Sequence, residues 1–392
     1  MFRKIDPGII ISVIALSLIG LVMIFSTAGL TYTARQLTWL VLAIITAFAF
    51  SKISPRIWSN LSPFIYVAVI ILLFLILFVS HSYPRRWFKI SEFSLQPSEF
   101  AKLATILVLA TFLAARKRLK SFADLLIPLA IVVIPAALVF VEPDLGAAQI
   151  FFPILMMMLY WAGMPAAKIF IFFSPIISAA ASFSIYVWVV YIVVFGIFLY
   201  FRKHLSDFVY GLVSNSLVGL ITPVIWNSLK VYQQKRIISF FSPWLDPRGM
   251  SWQIIQSKIA IGSGRLLGKG FLSGTQKKLE FLPERHTDFI FSCLGEEFGL
   301  VGIIIITGIY IFLLYRLLVL TTETKNRFSG IFVSGVLAWI GYQTFLNIGM
   351  TVGLLPITGV PLPFLSYGGS ALLACFMAIG LCLVISKSKH EY

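Results

Sequence analysis

Asp288 ends a run of ionisable residues, Glu280, Glu284, Arg285, His286 and Asp288, that leads straight into an apolar stretch. An acid at such a boundary has more than one use. A cation such as Arg285 beside it favours the carboxylate, whereas desolvation raises its pKa toward that of a general base for a hydroxyl. The plainer reading is an acid at a helix N-terminus, held by the macrodipole. Glu296 and Glu297 follow within the apolar stretch. Neighbours on a helix point about 100° apart, so the two cannot face one groove. At least one needs a partner or a wet cavity.

Three other stretches carry groups of chemical interest. PRRWFKISEFSLQPSEFAKLA, residues 84–104, holds Arg85, Arg86 and Trp87 ahead of a helix start at Gln96-Pro97. Glu99 and Lys102 then share a face at i, i+3. A lone charge inside a span costs roughly 2.5–3.5 kcal/mol, and pairing lowers that cost, so the pair reads as structural or as part of a site. Trp87 fits a site or an interfacial belt. VEPDLGAAQ, 141–149, puts Glu142 and Asp144 around Pro143; the expectation is a short turn with solvated acids and no complete cation set. Residues 347–372 contain Pro356, Pro361, Pro363 and Gly368-Gly369. Irregular backbone at membrane depth must be buried or line a cavity, so this stretch is a candidate groove wall for a lipid tail or a sugar.

These groups must be positioned by membrane helices. Of 392 residues, 59% are hydrophobic and 12% charged, and mean hydropathy is +0.96. Such a chain is an all-α, polytopic membrane protein. The expected spans are 8–28, 36–51, 62–80, 98–115, 124–141, 147–163, 168–184, 185–201, 206–226, 288–315, 329–349 and 369–386. Residues 168–201 contain no polar loop. As one helix they would reach about 51 Å, too long for a core of about 30 Å, so a hairpin turning near Ala181–Ser184 is expected. The run 8–28 is long for the apolar core of a signal peptide. Cys293, Cys375 and Cys382 lie in apolar segments at no ligand spacing and read as small core residues.

Charge sets the orientation. Basic short loops, above all Arg116-Lys117-Arg118-Leu119-Lys120, stay cytoplasmic. Both termini are then cytoplasmic, and 81–97 and 227–287 are outer loops of a single membrane domain, 1–392. The second loop carries ten basic residues, Lys258, Arg265, Lys269 and Arg285 among them, against three acids. That excess suits anionic lipid headgroups or a phosphorylated, lipid-linked substrate. Nucleic acid is a poor partner on that face.

RRWF with LQPSEFAKLA, EPDLG, WQIIQSKIAIGSGRLLGKGFLSGTQKKLEFLPERHTDFIF with GEEFG, and NIGM with GLLPITGVPLPFLSYGGS occur in this order along nearly the whole chain. Together they resemble the shape, elongation, division and sporulation family, and its elongation branch more than its division branch. The resemblance implies a ten-helix core, so 164–203 is expected to be an inserted transmembrane hairpin. It implies a peptidoglycan glycosyltransferase of the bacterial cytoplasmic membrane, acting on lipid II at the outer face beside a class B penicillin-binding protein. Asp288 matches the family's essential acid and would serve as general base for the acceptor 4-hydroxyl. Undecaprenyl diphosphate would leave in one inverting displacement. Trp87, Glu99 and Lys102 match family positions. Arg85 and Arg86 beside them are expected at the substrate, with Lys258, Arg265, Lys269 or Arg285 on phosphate. A divalent cation, Mg or Mn, would assist. A lipid II flippase and a non-catalytic scaffold are the alternative readings.

Overall fold

A computed structural model describes residues 5–79, 86–90, 93–116, 119, 121–202, 204–228, 234, 252–275, 282 and 284–388. Among these the chain forms twelve α-helices and one two-stranded hairpin. The elements are α1 Pro7–Phe50, α2 Pro55–Val79, β1 Phe88–Ile90, β2 Phe93–Leu95, α3 Pro97–Ala115, α4 Leu126–Val141 and α5 Leu145–Trp161. There follow α6 Ala166–Ala181, α7 Ile185–Arg202, α8 Leu205–Ser228, α9 Trp252–Ser263, α10 Ile290–Glu323, α11 Arg327–Thr351 and α12 Gly369–Ser388. Nine of the described helices are long and apolar enough to cross a membrane, and α5 and α6 are shorter apolar helices. The protein is a polytopic all-α membrane protein.

The 44 residues of α1 would reach about 66 Å if straight. The helix breaks at Gly29 instead, and its two arms answer to the expected spans 8–28 and 36–51. Asp6 caps its start, accepting from Gly8 N at 2.9 Å and meeting Arg316 of α10 at 2.6 Å. Helix α10 breaks too, at Gly299, where φ 64° and ψ −159° suit only a residue without Cβ. The amides freed there are not left bare. Leu300 N and Val301 N donate to the carbonyls of Arg265 and Leu266 at 2.9 and 3.1 Å, and Lys269 N and Gly270 N donate to Glu296 O and Glu297 O, both at 3.0 Å. The loop after α9 thus satisfies the break in α10.

The chain divides into two compact units, Met1–Ala162 with Pro247–Tyr392, and Gly163–Asp246. In the first, α3, α5 and α11 bury Ile106, Phe151, Met158 and Trp339. The second contains α6, α7 and α8. The chain turns between α6 and α7 at Ser182–Ser184, as expected. Asn215 of α8 joins the three helices: Nδ2 donates to Ser174 Oγ at 2.7 Å, Oδ1 accepts from the Tyr191 hydroxyl at 2.9 Å, and its carbonyl accepts from Ser178 Oγ at 2.7 Å. Apolar contact has little driving force between helices in lipid, so such bonds supply the specificity. Asp207, fully buried, lies 3.7 Å from Lys168 and 3.9 Å from Arg202 in the same unit.

Candidate active site

Asp288 does not begin the helix, as the span 288–315 implied; α10 starts at Ile290, and Asp288 sits in the turn before it. That turn is tightly held. The amides of Thr287 and Asp288 both donate to Glu284 O, at 3.2 and 3.1 Å. Asn347 of α11 donates to Asp288 O at 2.9 Å and to Val360 O at 2.8 Å. Ser366 Oγ donates to Thr287 O at 2.6 Å, and Tyr367 N to His286 O at 2.9 Å. One polar seam therefore fixes the turn against the proline-rich stretch 352–368. The carboxylate borders that stretch: a Cβ on Gly359 would lie 3.3 Å from Asp288 Oδ2. Burial, and then the charges of Glu284 and Asp144, push the Asp288 pKa from 3.8 up to about 7, with Thr287 and Arg86 opposing. A carboxyl so placed exchanges a proton near neutrality, as a general base must.

Arg86 and Trp87 enter from the segment expected to be a plain loop. Its strands pair antiparallel, Phe88 opposite Leu95 and Ile90 opposite Phe93. The Arg86 guanidinium straddles the 142–144 turn, donating Nε to Glu142 O at 3.1 Å and Nη2 to Pro143 O, with Asp144 Oδ2 3.9 Å away. Asp144 also caps α5 through Ala147 N at 3.1 Å and accepts from Gln96 Nε2 at 3.0 Å. Gly146 lets this cap press on the stretch 352–368, since a Cβ there would stand 2.2 Å from Thr358 O. The expectation of solvated acids fails here: Glu142 is fully buried and Asp144 nearly so, because Arg86 and Gln96 close over the turn. Neither carboxyl oxygen of Glu142 has a hydrogen-bond partner among the described residues. Burial first, then the Asp144 charge, push its pKa up to about 8 against Arg86, so it is mostly protonated at neutral pH.

Glu99 and Lys102 form a deep ion pair. Lys102 Nζ meets the two carboxylate oxygens at 2.7 and 2.8 Å and lies 5.0 Å over the Trp339 ring. Gln343 accepts from Trp339 Nε1 at 2.7 Å and donates to Pro361 O at 2.8 Å. The pair thus links α3 to α11 and to the wall of the site.

Among the described residues, the cation whose charge acts on Asp288 is Arg86 rather than one of those expected on phosphate. Lys269 is engaged by Glu296 at 2.7 Å and by Thr275 Oγ1 at 2.8 Å. Arg285 donates Nε to Thr27 O at 2.9 Å. Arg265 is exposed on the loop that satisfies the α10 break, and Lys258 is exposed on α9 with its ammonium end against Gly353. Arg85 lies outside the described residues. Glu296 and Glu297 both find the partners that their depth demands, Glu297 accepting from Ser26 Oγ at 2.6 Å.

A cavity of about 460 Å³ opens beside the Asp288 turn. Arg35, Trp39, Trp87, His286, Thr287 and Tyr367 are among its walls. The rings of Tyr32, His286 and Tyr367 cluster with centroids 4.9–5.5 Å apart. Sequence reasoning missed Tyr32, Arg35, Trp39 and Tyr367. Arg35, isolated between two apolar runs, was the signal available.

The family model for FtsW/RodA/SpoVE cell cycle proteins matches residues 8–194 and 184–391. The peptidoglycan glycosyltransferase MrdB of Escherichia coli (strain K12) is 34% identical over 389 residues, covering 98% of this chain and 94% of its own. The peptidoglycan glycosyltransferase RodA of Treponema pallidum is 33% identical over 428 residues, covering 98% of both. Among solved structures, a chain reported under structural coordination of polymerization and crosslinking by a peptidoglycan synthase complex superposes with TM-score 0.77 at 27% identity, covering 99% of each chain. The rod shape determining protein RodA of Thermus thermophilus does so with TM-score 0.66 at 25% identity, again covering 99% of each. With sequence and fold matching from end to end, the chain belongs to the FtsW/RodA/SpoVE family of cell cycle proteins, the shape, elongation, division and sporulation family.

Proposed function

We propose that the protein is a peptidoglycan glycosyltransferase that polymerises lipid II, with Asp288 as the base for the acceptor hydroxyl. The observation that carries this reading is Asp288, held by its backbone in a turn whose residues His286 and Thr287 line a cavity, with its carboxyl pushed to a pKa of about 7. The names of the relatives support the reaction class. In the proposed step the acceptor 4-oxygen attacks the donor's anomeric carbon as its proton passes to Asp288. The bond to undecaprenyl diphosphate breaks in the same displacement. The leaving group departs as an anion, so no general acid is required, whereas positive charge near the diphosphate helps. Arg86 is the described cation that acts on Asp288, and it is held on the 142–144 turn.

A divalent cation remains part of the proposal. Among the described residues, no three His, Cys, Asp or Glu side chains gather as a ligand set. Asp288 or Asp144 would offer an ion one or two oxygens, and substrate phosphate and water the rest, a division Mg favours; no step is derived through it. In the membrane we place both termini on the cytoplasmic side and the Asp288 face outside, on the basic short loops. The basic 227–287 segment, Lys258 and Arg265 included, would meet the lipid-linked substrate there, with Arg85 of the 81–97 loop. A class B penicillin-binding protein is the proposed partner, and residues 164–203 a proposed addition to the family core.

The test is polymerisation of labelled lipid II by the purified protein and by Asp288→Asn, each with a class B partner and a divalent cation. Strands from the first and none from a folded second are expected. Equal strands from both would remove Asp288 from the chemistry. No strands from either, where a control polymerase works, would favour a flippase or scaffold.

A further inference from the structure

The cavity beside Asp288 has a composition that discriminates among the parts of the proposed substrate. Among the described walls, Arg35 and Glu284 carry opposite charges, and burial lowers the pKa of His286, which favours its neutral form. A diphosphate subsite needs an excess of positive charge, which the walls lack among the described residues. A lipid tail needs an apolar lining, yet the hydroxyls of Thr38, Ser94 and Thr287 and two charges are present. Aromatic rings and a few convergent polar groups remain, in a volume within the roughly 300–1,000 Å³ of small-molecule sites. That is the chemistry that holds a neutral pyranose, whose C–H faces pack on the negative faces of aromatic rings while its hydroxyls and amide find hydrogen bonds.

We propose that this cavity is the subsite for the neutral terminal sugar of the acceptor, with Trp39, Trp87 and Tyr367 as the walls its ring packs on. The assignment rests on the reaction proposed above and adds where its acceptor sits. The cavity adjoins the turn that carries Asp288. Thr287 and His286, the two residues before it, line the cavity, and Ser366 and Tyr367 hold both through their carbonyls. The backbone at Gly369 closes on the Trp39 indole, where a Cβ would stand 2.2 Å from Cε2.

The test uses Thr38→Cys in the full chain. Thr38 is an exposed lining residue, and the three native cysteines are buried, so a maleimide reports on position 38. Labelling is run in the Asp288→Asn background, where turnover plays no part. The probes are lipid II, a soluble N-acetylglucosamine disaccharide, and farnesyl diphosphate. Lipid II and the disaccharide are expected to slow labelling several-fold and farnesyl diphosphate to leave it unchanged. Protection by farnesyl diphosphate equal to or above that by the disaccharide overturns the assignment in favour of a diphosphate site. Absence of protection by the disaccharide at its highest soluble concentration also overturns it. Because labelling needs no catalysis, failure of the polymerase reading appears in the strand assay and failure of the subsite here.

Discussion

If Asp288 is the base, polymerisation should depend on pH in a way that an ordinary carboxylate forbids. A carboxyl titrating at 3.8 is ionised throughout the range from pH 5.5 to 8.5 and predicts a flat profile. Asp288 titrates at about 7. About a tenth is then ionised at pH 6 and about nine tenths at pH 8, so kcat/KM should rise roughly tenfold between them. The substrate's diphosphate diester has no proton exchanging in this range. The assay is the initial rate of strand formation from dilute fluorescent lipid II, buffered across the range with the divalent cation held constant. Glu284 is the largest charge that raises the Asp288 pKa, after burial itself. Glu284→Gln should therefore shift the midpoint to lower pH, whatever it does to the plateau, since Glu284 also lines the cavity and accepts from Thr287 Oγ1 at 3.0 Å. Asp144 acts in the same direction, but it also caps α5, so its removal is the less clean probe. A flat wild-type profile would refute the reasoning, as would a midpoint that rises when Glu284 is neutralised.

Stability should run against activity. The folded-state pKa of Asp288 is raised above 3.8, so this group's contribution is full below that value and is lost as pH climbs through about 7. Ionised Asp288 then costs at most about 4 kcal/mol, at 1.36 kcal/mol per pH unit. Asp288→Asn should raise the apparent Tm in detergent more at pH 8 than at pH 5; the reverse pattern would count against buried ionisation. Glu99→Gln leaves Lys102 charged and buried without its carboxylate, which should cost about 3–5 kcal/mol, whereas replacing both by Met should cost less. Thermal unfolding of the single and double variants decides this. Gly299→Ala should cost at least about 1–3 kcal/mol, because its φ is +64° and a Cβ would lie 2.4 Å from Gly268 N. A silent Gly299→Ala would mean that the break in α10 is dispensable.

The elements and the site differ in how much of them composition exposes. Long apolar runs announce helices whatever surrounds them, which is why α2 to α8 fall close to their expected spans. A helix break is subtler: glycine is common in such sequences, and only the carbonyls of Arg265 and Leu266 approaching Leu300 and Val301 turn Gly299 into a break. At the site, Asp288 and the Glu99–Lys102 pair stood out because charge at membrane depth is costly and therefore noticeable. Glu142 and Asp144 stood out equally, but their burial depends on Arg86 and Gln96, which arrive from the 86–96 hairpin and its edge. No local spacing encodes that closure. The aromatic walls are the extreme case. Trp39 and Tyr367 are 328 positions apart in sequence, and each alone is an unremarkable residue of an aromatic-rich membrane protein. The Gly368-Gly369 pair, legible as a place of close approach, brings the chain onto the Trp39 indole and makes a wall of both. Charge thus drew attention to Asp288 in the sequence, and the resemblance gave it its proposed role, while the surface that would select a substrate depends on contacts between distant segments.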